Sequence, residues 1–150
     1  ESHLGEEIQI LGYDVRPEGG CSLDDSGRRL LVTDPESCTV HLTLYWQALD
    51  TMGVNYTVFV HLLAADGQIP AQQDSQPQGG AFPTVDWFPG DIIPDEYALA
   101  FPADVPTGEA SLEVGMYLLE TAERLPAYDA AGARWPNDAI HLDLAIEVLP

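Results

Sequence analysis

The fold is decided by the stretch Thr39–Gln47, which reads TVHLTLYWQ. Alternate residues of this stretch are apolar, and the residues between them are polar or carry a polar tip. Successive side chains of a β-strand point to opposite faces, so the pattern predicts a strand with one buried face and one solvated face. The predicted core face comprises Val40, Leu42, Leu44 and Trp46.

Four further segments extend this reading. Tyr56–Leu63 is almost continuously apolar, as expected of a central strand covered on both faces. Ile140–Val148 alternates again, and an opening strand is expected over about Glu7–Val15. Glu109–Leu125 is contested, because its Glu, Ala, Leu and Met content suits a helix. Its alternation and the presence of Gly115 favour a strand.

Length and composition indicate one all-β domain spanning residues 1–150. The 12 prolines and 13 glycines are spread along the chain, which suits short strands joined by tight turns. Leu62–Ala71 and Leu118–Ala127 resemble each other, and each reads as a hairpin. We therefore expect an immunoglobulin-like antiparallel β-sandwich of about 7–9 strands.

The charge is strongly negative. The chain carries 25 acidic residues and five basic ones, all arginine, for a formal net charge of -20. Nucleic-acid binding depends on basic side chains that neutralise phosphates, so DNA and RNA are excluded as partners. No stretch approaches the ~20 apolar residues of a membrane span, so we expect no insertion of this chain into a bilayer.

The two cysteines, Cys21 and Cys38, flank a turn-rich segment. Their spacing is not that of a zinc or redox motif, so a local disulfide is favoured over two buried thiols. A bridge would require the segment between them to double back, and it would indicate an oxidising compartment.

A series of motifs resembles one known domain. They are Leu44–Ala48, Tyr56–Leu62, Gln73–Pro77, Trp87–Gly90 and Phe101–Gly108. Their order and spacing resemble the soluble C-terminal β-sandwich of bacterial membrane glycosyltransferases of the protein-mannosyltransferase-like kind, over roughly Ile8 to Val148. In that family the transferase chemistry resides in the membrane portion. The resemblance therefore implies an extracytoplasmic accessory domain without catalytic residues, whose partner is its parent membrane enzyme.

The long turn-rich stretch Gln73–Pro94 is the most informative region for ligand binding, because loops of this length in a compact domain are usually functional. A flat aromatic ring can stack on a sugar while carboxylates bind its hydroxyls. The candidate residues for a glycan or lipid-linked sugar are Asp74, Phe82, Asp86, Trp87, Phe88 and Asp91. The alternative is that Trp87 plugs one end of the sandwich. The acidic spacing matches no standard calcium loop, so we expect no metal ligands, and no motif indicates a cofactor.

Enzymatic chemistry is not expected of this chain. No Ser-His-Asp arrangement is readable, and His61 lies in an apolar strand where a packing role is favoured. The leading hypothesis is a non-catalytic carbohydrate-binding accessory domain. The second is a structural or protein-interaction module at the cell surface, and the third is a small hydrolase with a close carboxylate pair or an activated nucleophile.

Overall fold

The computed structural model describes all 150 residues, which form two β-sheets packed face to face. The strands are β1 (His3–Leu4), β2 (Ile8–Glu18), β3 (Cys21–Leu23), β4 (Arg29–Val32), β5 (Thr39–Ala48), β6 (Thr57–Leu63), β7 (Ala71–Ser75), β8 (Ile92–Ala100), β9 (Gly108–Tyr117), β10 (Ala127–Tyr128), β11 (Ile140–His141) and β12 (Ala145–Val148). Short 3-10 helices occupy the connections at Pro35–Ser37, Pro77–Gly80, Thr84–Asp86 and Pro136–Asp138. The structure contains no helix with the length and apolar character needed to cross a membrane.

The two sheets confirm the predicted all-β sandwich. The first has the strand order β10-β1-β2-β5-β8, and the second β3-β4-β12-β9-β6-β7, with β11 also paired to β9. Pairing is antiparallel except between β4 and β12, where the last strand fills the space between β4 and β9. The 12 strands exceed the expected number of about 7–9 because β1, β3, β10 and β11 contain only two or three residues each.

The core lies between the sheets, on the faces that the alternation predicted. Val40, Leu42, Leu44 and Trp46 of β5 are each at most 1% exposed. The contested segment forms the strand β9, which buries Leu112 between the sheets. The fold is therefore held mainly by apolar burial on the inner faces of β5, β6 and β9.

The strand β6 is covered on its outer face as well, as its continuous apolar pattern predicted. Phe59 is 1% exposed there, and the Arg124 guanidinium lies 4.2 Å from the centre of its ring. Gly115 on the adjacent strand makes this packing possible, because a Cβ at that position would lie 2.5 Å from the Phe59 ring. A larger residue at 115 would push the ring off the sheet.

Two predicted strands are less regular than their sequence patterns suggested. A β-bulge interrupts β2 between Ile10 and Gly12, so the inward-facing residues change from even to odd numbers. The predicted strand Ile140–Val148 is split into β11 and β12. His141 pairs with Glu113 of β9, and Ile146 pairs with Ala110. Five positions therefore separate the paired residues on this segment, but only three separate their partners on β9.

The first predicted hairpin forms from β6 and β7. The second returns only as far as a bridge between Tyr117 and Arg124, after which β10 pairs with β1 in the opposite sheet. The resemblance between Leu62–Ala71 and Leu118–Ala127 therefore covers the turn, but the returning chain is used differently.

The predicted disulfide joins Cys21 and Cys38 across a Cα–Cα distance of 5.4 Å. The chain between them doubles back as expected. Gly20 approaches Asp34 and Ser37 so closely that a Cβ at position 20 would lie 2.2 Å from the Asp34 carbonyl oxygen. The bridge therefore closes the end of the sandwich where β3 and β5 begin.

Candidate functional site

The residues predicted to bind a ligand do not form a single site. Trp87 is 1% exposed and packs edge-on against Phe82, and its indole N–H donates to the Phe82 carbonyl oxygen at 2.8 Å. This is the plugging position that the sequence left open as an alternative. The faces of the Trp87 ring are taken up by protein contacts and are not offered to solvent.

The other predicted residues lie in two places. Phe88 is 69% exposed, and its backbone N–H donates to the Asp91 carboxylate at 2.9 Å, so this part of the loop is fixed. Asp86 is exposed beside it. Asp74 instead accepts a hydrogen bond from the Tyr117 hydroxyl at 2.8 Å, on the outer face of the second sheet.

A larger concavity lies elsewhere, beside the two irregular strands. It is an open groove of about 790 Å³ between β2, the β3–β4 turn and the segment from Asp129 to Asp143. Beyond Ile10, β2 has no neighbour on this side, because β1 pairs only with Ile8 and Gln9. The groove occupies the position beside β2 that a longer neighbouring strand would fill.

One wall of the groove carries an aromatic side chain that stacks on a second ring. Trp135 is half-buried and lies parallel to the His141 ring, with centroids 5.5 Å apart and an interplanar angle of 7°. Nε2 of His141 is 2.8 Å from the carboxylate of Glu113, which is 8% exposed. The Trp135 indole N–H donates to the Ser2 hydroxyl at 3.0 Å, so the ring is fixed in place.

The local sequence explains why Trp135 sits where it does. A residue before proline favours extended backbone, and Trp135 has φ -68° and ψ 139° ahead of Pro136. The turn that follows places Asn137 at φ 58°, a conformation that asparagine tolerates. Asp138 then accepts hydrogen bonds from the Arg134 guanidinium and from the Ala127 backbone N–H. The hydrogen bond from Arg134 keeps the pKa of Asp138 below its usual value.

The groove is also lined by a hydrogen-bonded carboxylate, Asp143. The Tyr13 hydroxyl donates to Asp143 Oδ1 at 2.7 Å, and Arg28 Nη1 donates to Asp143 Oδ2 at 2.6 Å. Burial, with the Asp143 carboxylate as the next cause, raises the pKa of the Tyr13 phenol well above its ordinary value. The hydroxyl therefore stays protonated and keeps Asp143 oriented.

The two strand irregularities put these residues in the groove. The β2 bulge turns Tyr13, rather than its neighbours, toward the interior. Asp143 lies in the interval between β11 and β12, where pairing with β9 is interrupted. Irregularities of this kind often re-aim side chains at binding sites.

Sequence reasoning did not find this groove, since its residues are far apart in the chain. Tyr13 and Asp143 are separated by 130 positions. Trp135 lies beside a proline in the sequence, but no spacing connects it to Tyr13 or Arg28. The groove combines an apolar ring surface with a carboxylate, a guanidinium and an imidazole, a set that can bind hydroxyl groups. No group of three or more His, Cys, Asp or Glu side chains is arranged to hold a metal ion.

A scan against protein-family models finds no match to this chain, and a search of curated proteins finds no significant match either.

Proposed function

We propose that this chain is a non-catalytic carbohydrate-binding domain, that it works outside the cytoplasm, and that it serves a membrane glycosyltransferase as an accessory domain. The observation that carries the binding proposal is the groove, which is lined both by Trp135 and by the hydrogen-bonded pair Tyr13–Asp143. The sugar site therefore lies in this groove rather than on the loop around Trp87.

The groove suits a sugar because a pyranose combines an apolar face with hydroxyls that project around its edge. The half-buried Trp135 ring offers an apolar surface to the C–H face. Asp143 uses one lone pair of each oxygen for Tyr13 and Arg28, so further lone pairs accept sugar hydroxyls. Arg28, whose side chain is 72% exposed, has further N–H groups to donate.

The overall charge narrows the ligand class. The net charge of -20 repels anionic ligands, and the groove lining includes Asp14 and Asp129 besides Asp143. A neutral glycan, free or linked to a lipid carrier, fits this surface better than a uronic acid or a phosphate-rich polymer.

The location and accessory role rest on separate support. The bond between Cys21 and Cys38 supports an oxidising compartment. The resemblance of the strand motifs to the glycosyltransferase sandwich supports the accessory role and the kind of parent enzyme. Mass spectrometry of the native protein without reductant tests the compartment. We expect no alkylatable thiol, and two free thiols would contradict the extracytoplasmic assignment.

The binding proposal is tested by a glycan array followed by calorimetric titration of the best neutral glycan. We expect Asp143→Ala and Trp135→Ala each to weaken binding by about tenfold or more, which corresponds to roughly 1.4 kcal/mol. Phe88→Ser is the matched control, because Phe88 is an exposed aromatic outside the groove.

Two results would contradict this assignment. The absence of binding to any glycan or polyprenyl-linked sugar at millimolar concentration would remove the carbohydrate function. Loss of binding in Phe88→Ser, with Asp143→Ala unaffected, would move the site from the groove to the loop around Trp87.

A further inference from the structure

Exposed apolar side chains gather at one end of the sandwich. Seven large hydrophobic residues are more than 40% exposed, and six of them lie where β5 and β9 end and where β6 and β8 begin. These six, which we call the apolar tip, are Leu49, Val54, Val85, Phe88, Ile92 and Leu119. The seventh, Ile69, follows β6 at the opposite end of the molecule.

The loops that carry the apolar tip are hydrogen-bonded to one another. The Thr84 hydroxyl donates to the Val54 carbonyl oxygen at 2.7 Å, and the Val85 N–H donates to Asn55 Oδ1 at 3.3 Å. Gly90 N–H donates to the Ala48 carbonyl oxygen at 2.8 Å. The β5–β6 loop and the loop that precedes β8 are therefore fixed to one another.

The turn with Leu119 belongs to the same end. Tyr117, the last residue of β9, lies opposite Thr57, the first residue of β6. Burial raises the pKa of the Tyr56 phenol, and the nearby charges of Glu7 and Glu123 raise it further. Leu119, two residues beyond Tyr117, therefore lies beside the start of β6 and the β5–β6 loop that precedes it.

Acidic side chains surround the apolar tip and basic ones are nearly absent. The acids on these loops are Glu7, Asp50, Asp86, Asp91, Glu120 and Glu123. No lysine or arginine occurs between Arg29 and Arg124. The Arg124 guanidinium is engaged with the Phe59 ring and with the Asn137 carbonyl oxygen at 2.8 Å. The charged side chains on these loops are thus all acidic.

This charge decides which partner fits. A second copy of the chain would bring another negative rim against the first, and an anionic bilayer would repel it in the same way. An apolar centre with an acidic rim is complementary to a protein surface with an apolar centre and a basic rim. We propose that the apolar tip is a docking surface for a protein partner that presents apolar side chains encircled by lysine or arginine.

The proposed surface is independent of the carbohydrate groove. Neither Phe88 nor Leu119 lines the groove, and neither Trp135 nor Asp143 belongs to the tip. Solvent-exposed apolar residues that gather in one place commonly mark interaction sites, whereas scattered ones do not. The buried Trp87 beneath the loop supports the surface from inside.

The test uses the intact chain, labelled with ¹⁵N, and a short amphipathic helical peptide of leucine and lysine as the probe. We expect backbone shifts to change mainly in residues 49–56, 84–92 and 118–123. Phe88→Ser and Leu119→Ser together should weaken binding by about tenfold or more. Ile69→Ser is the matched control, because it removes an equally apolar, exposed residue at the far end, and binding should stay within about twofold.

Two companion probes separate charge from apolar contact. A peptide of leucine and glutamate with the same pattern should not bind. A lysine peptide with serine in place of leucine should bind at least about tenfold more weakly than the leucine and lysine peptide. Equal binding of the serine peptide, or shifts spread over the whole surface, would overturn the proposal, since charge alone would then explain association. Sedimentation of the chain with phosphatidylcholine vesicles, abolished by Phe88→Ser, would overturn it in favour of a lipid surface.

Discussion

Two tyrosine–aspartate pairs in this molecule have hydrogen bonds of the same length and different surroundings. The Tyr97 hydroxyl donates to Asp95 at 2.7 Å, and the Tyr13 hydroxyl donates to Asp143 at 2.7 Å. Asp95 is 1% exposed within the sandwich, whereas the Asp143 side chain is 63% exposed at the groove. The hydrogen bond itself therefore does not distinguish a structural pair from a ligand-binding pair.

The distinction lies in how many acceptor positions remain. Asp95 also accepts from the Trp46 indole N–H at 3.2 Å and from the Gln78 backbone N–H at 2.7 Å. These bonds join β5, β8 and the turn at Pro77–Gly80, and they occupy the carboxylate inside the protein. Asp143 accepts from two donors and faces solvent on its other side. Burial and three protein donors make Asp95 structural, and exposure leaves Asp143 free to accept ligand hydroxyls.

The largest expected effect is that of Asp95→Ala on stability. The substitution leaves three donors, on Trp46, Tyr97 and Gln78, without their buried acceptor. We expect the free energy of unfolding to fall by about 3 kcal/mol, measured by urea denaturation. Tyr97→Phe is the milder comparison, since it removes one donor and should cost about 1 kcal/mol. A loss below that of Tyr97→Phe would show that water replaces the carboxylate.

The second prediction concerns pH. Burial raises the pKa of Asp95, even though its three hydrogen bonds act in the opposite direction. The folded state then retains a proton at pH values where the unfolded chain, with a carboxyl pKa of about 3.9, has lost it. The free energy of unfolding of the wild type, minus that of Asp95→Asn, should therefore decrease as pH rises above about 4. An increase over the same range would mean that the hydrogen bonds outweigh burial.

These two pairs also mark how far sequence reasoning reaches. The alternation in β5 and β9 predicted which residues are buried, because a period of two is a local property of a strand. Asp95 lies on the buried face of β8, between Ile93 and Tyr97, and neither this strand nor the donors to Asp95 were predicted from the sequence. The groove pair depends on a bulge between Ile10 and Gly12 and on a register shift near Asp143, and neither leaves a local signal.

The candidate ligand residues show that side-chain direction and tertiary contacts were also beyond prediction from the sequence. An aromatic residue in a long loop suggested a stacking surface at Trp87, but the sequence could not tell whether the ring turns outward or inward. It turns inward because Phe82 offers both a ring and a carbonyl acceptor. Trp135, with its indole N–H bonded to Ser2 at the other end of the chain, required the tertiary structure to be connected with any site.

The third prediction tests whether Tyr13–Asp143 is a ligand-binding pair or a structural one. Tyr13→Phe removes the donor to Asp143 and leaves the ring in place, and Arg28 still holds the carboxylate. The free energy of unfolding should fall by no more than about 1 kcal/mol, because the site is open to water. Glycan affinity, measured by calorimetry, should also fall, and by more than the small increase in unfolded protein can account for. A large stability loss with unchanged affinity would make Tyr13–Asp143 a structural pair like Tyr97–Asp95.

The smallest effect is expected at a third pair, on the outer face of the first sheet. The Tyr45 hydroxyl donates to Asp14 at 2.6 Å, and the Asp14 carboxylate raises the pKa of the Tyr45 phenol through this bond. Water reaches both partners, so it replaces either member of the bond when the other is removed. Tyr45→Phe should therefore leave the urea midpoint unchanged within error, even though its bond is as short as the one that anchors Asp95. Since the substitution keeps the ring and its packing on β5, a measurable loss would have to come from the hydroxyl alone. Such a loss would show that bond geometry, rather than burial, sets the energetic value of these pairs, and it would undo the distinction drawn between Asp95 and Asp143.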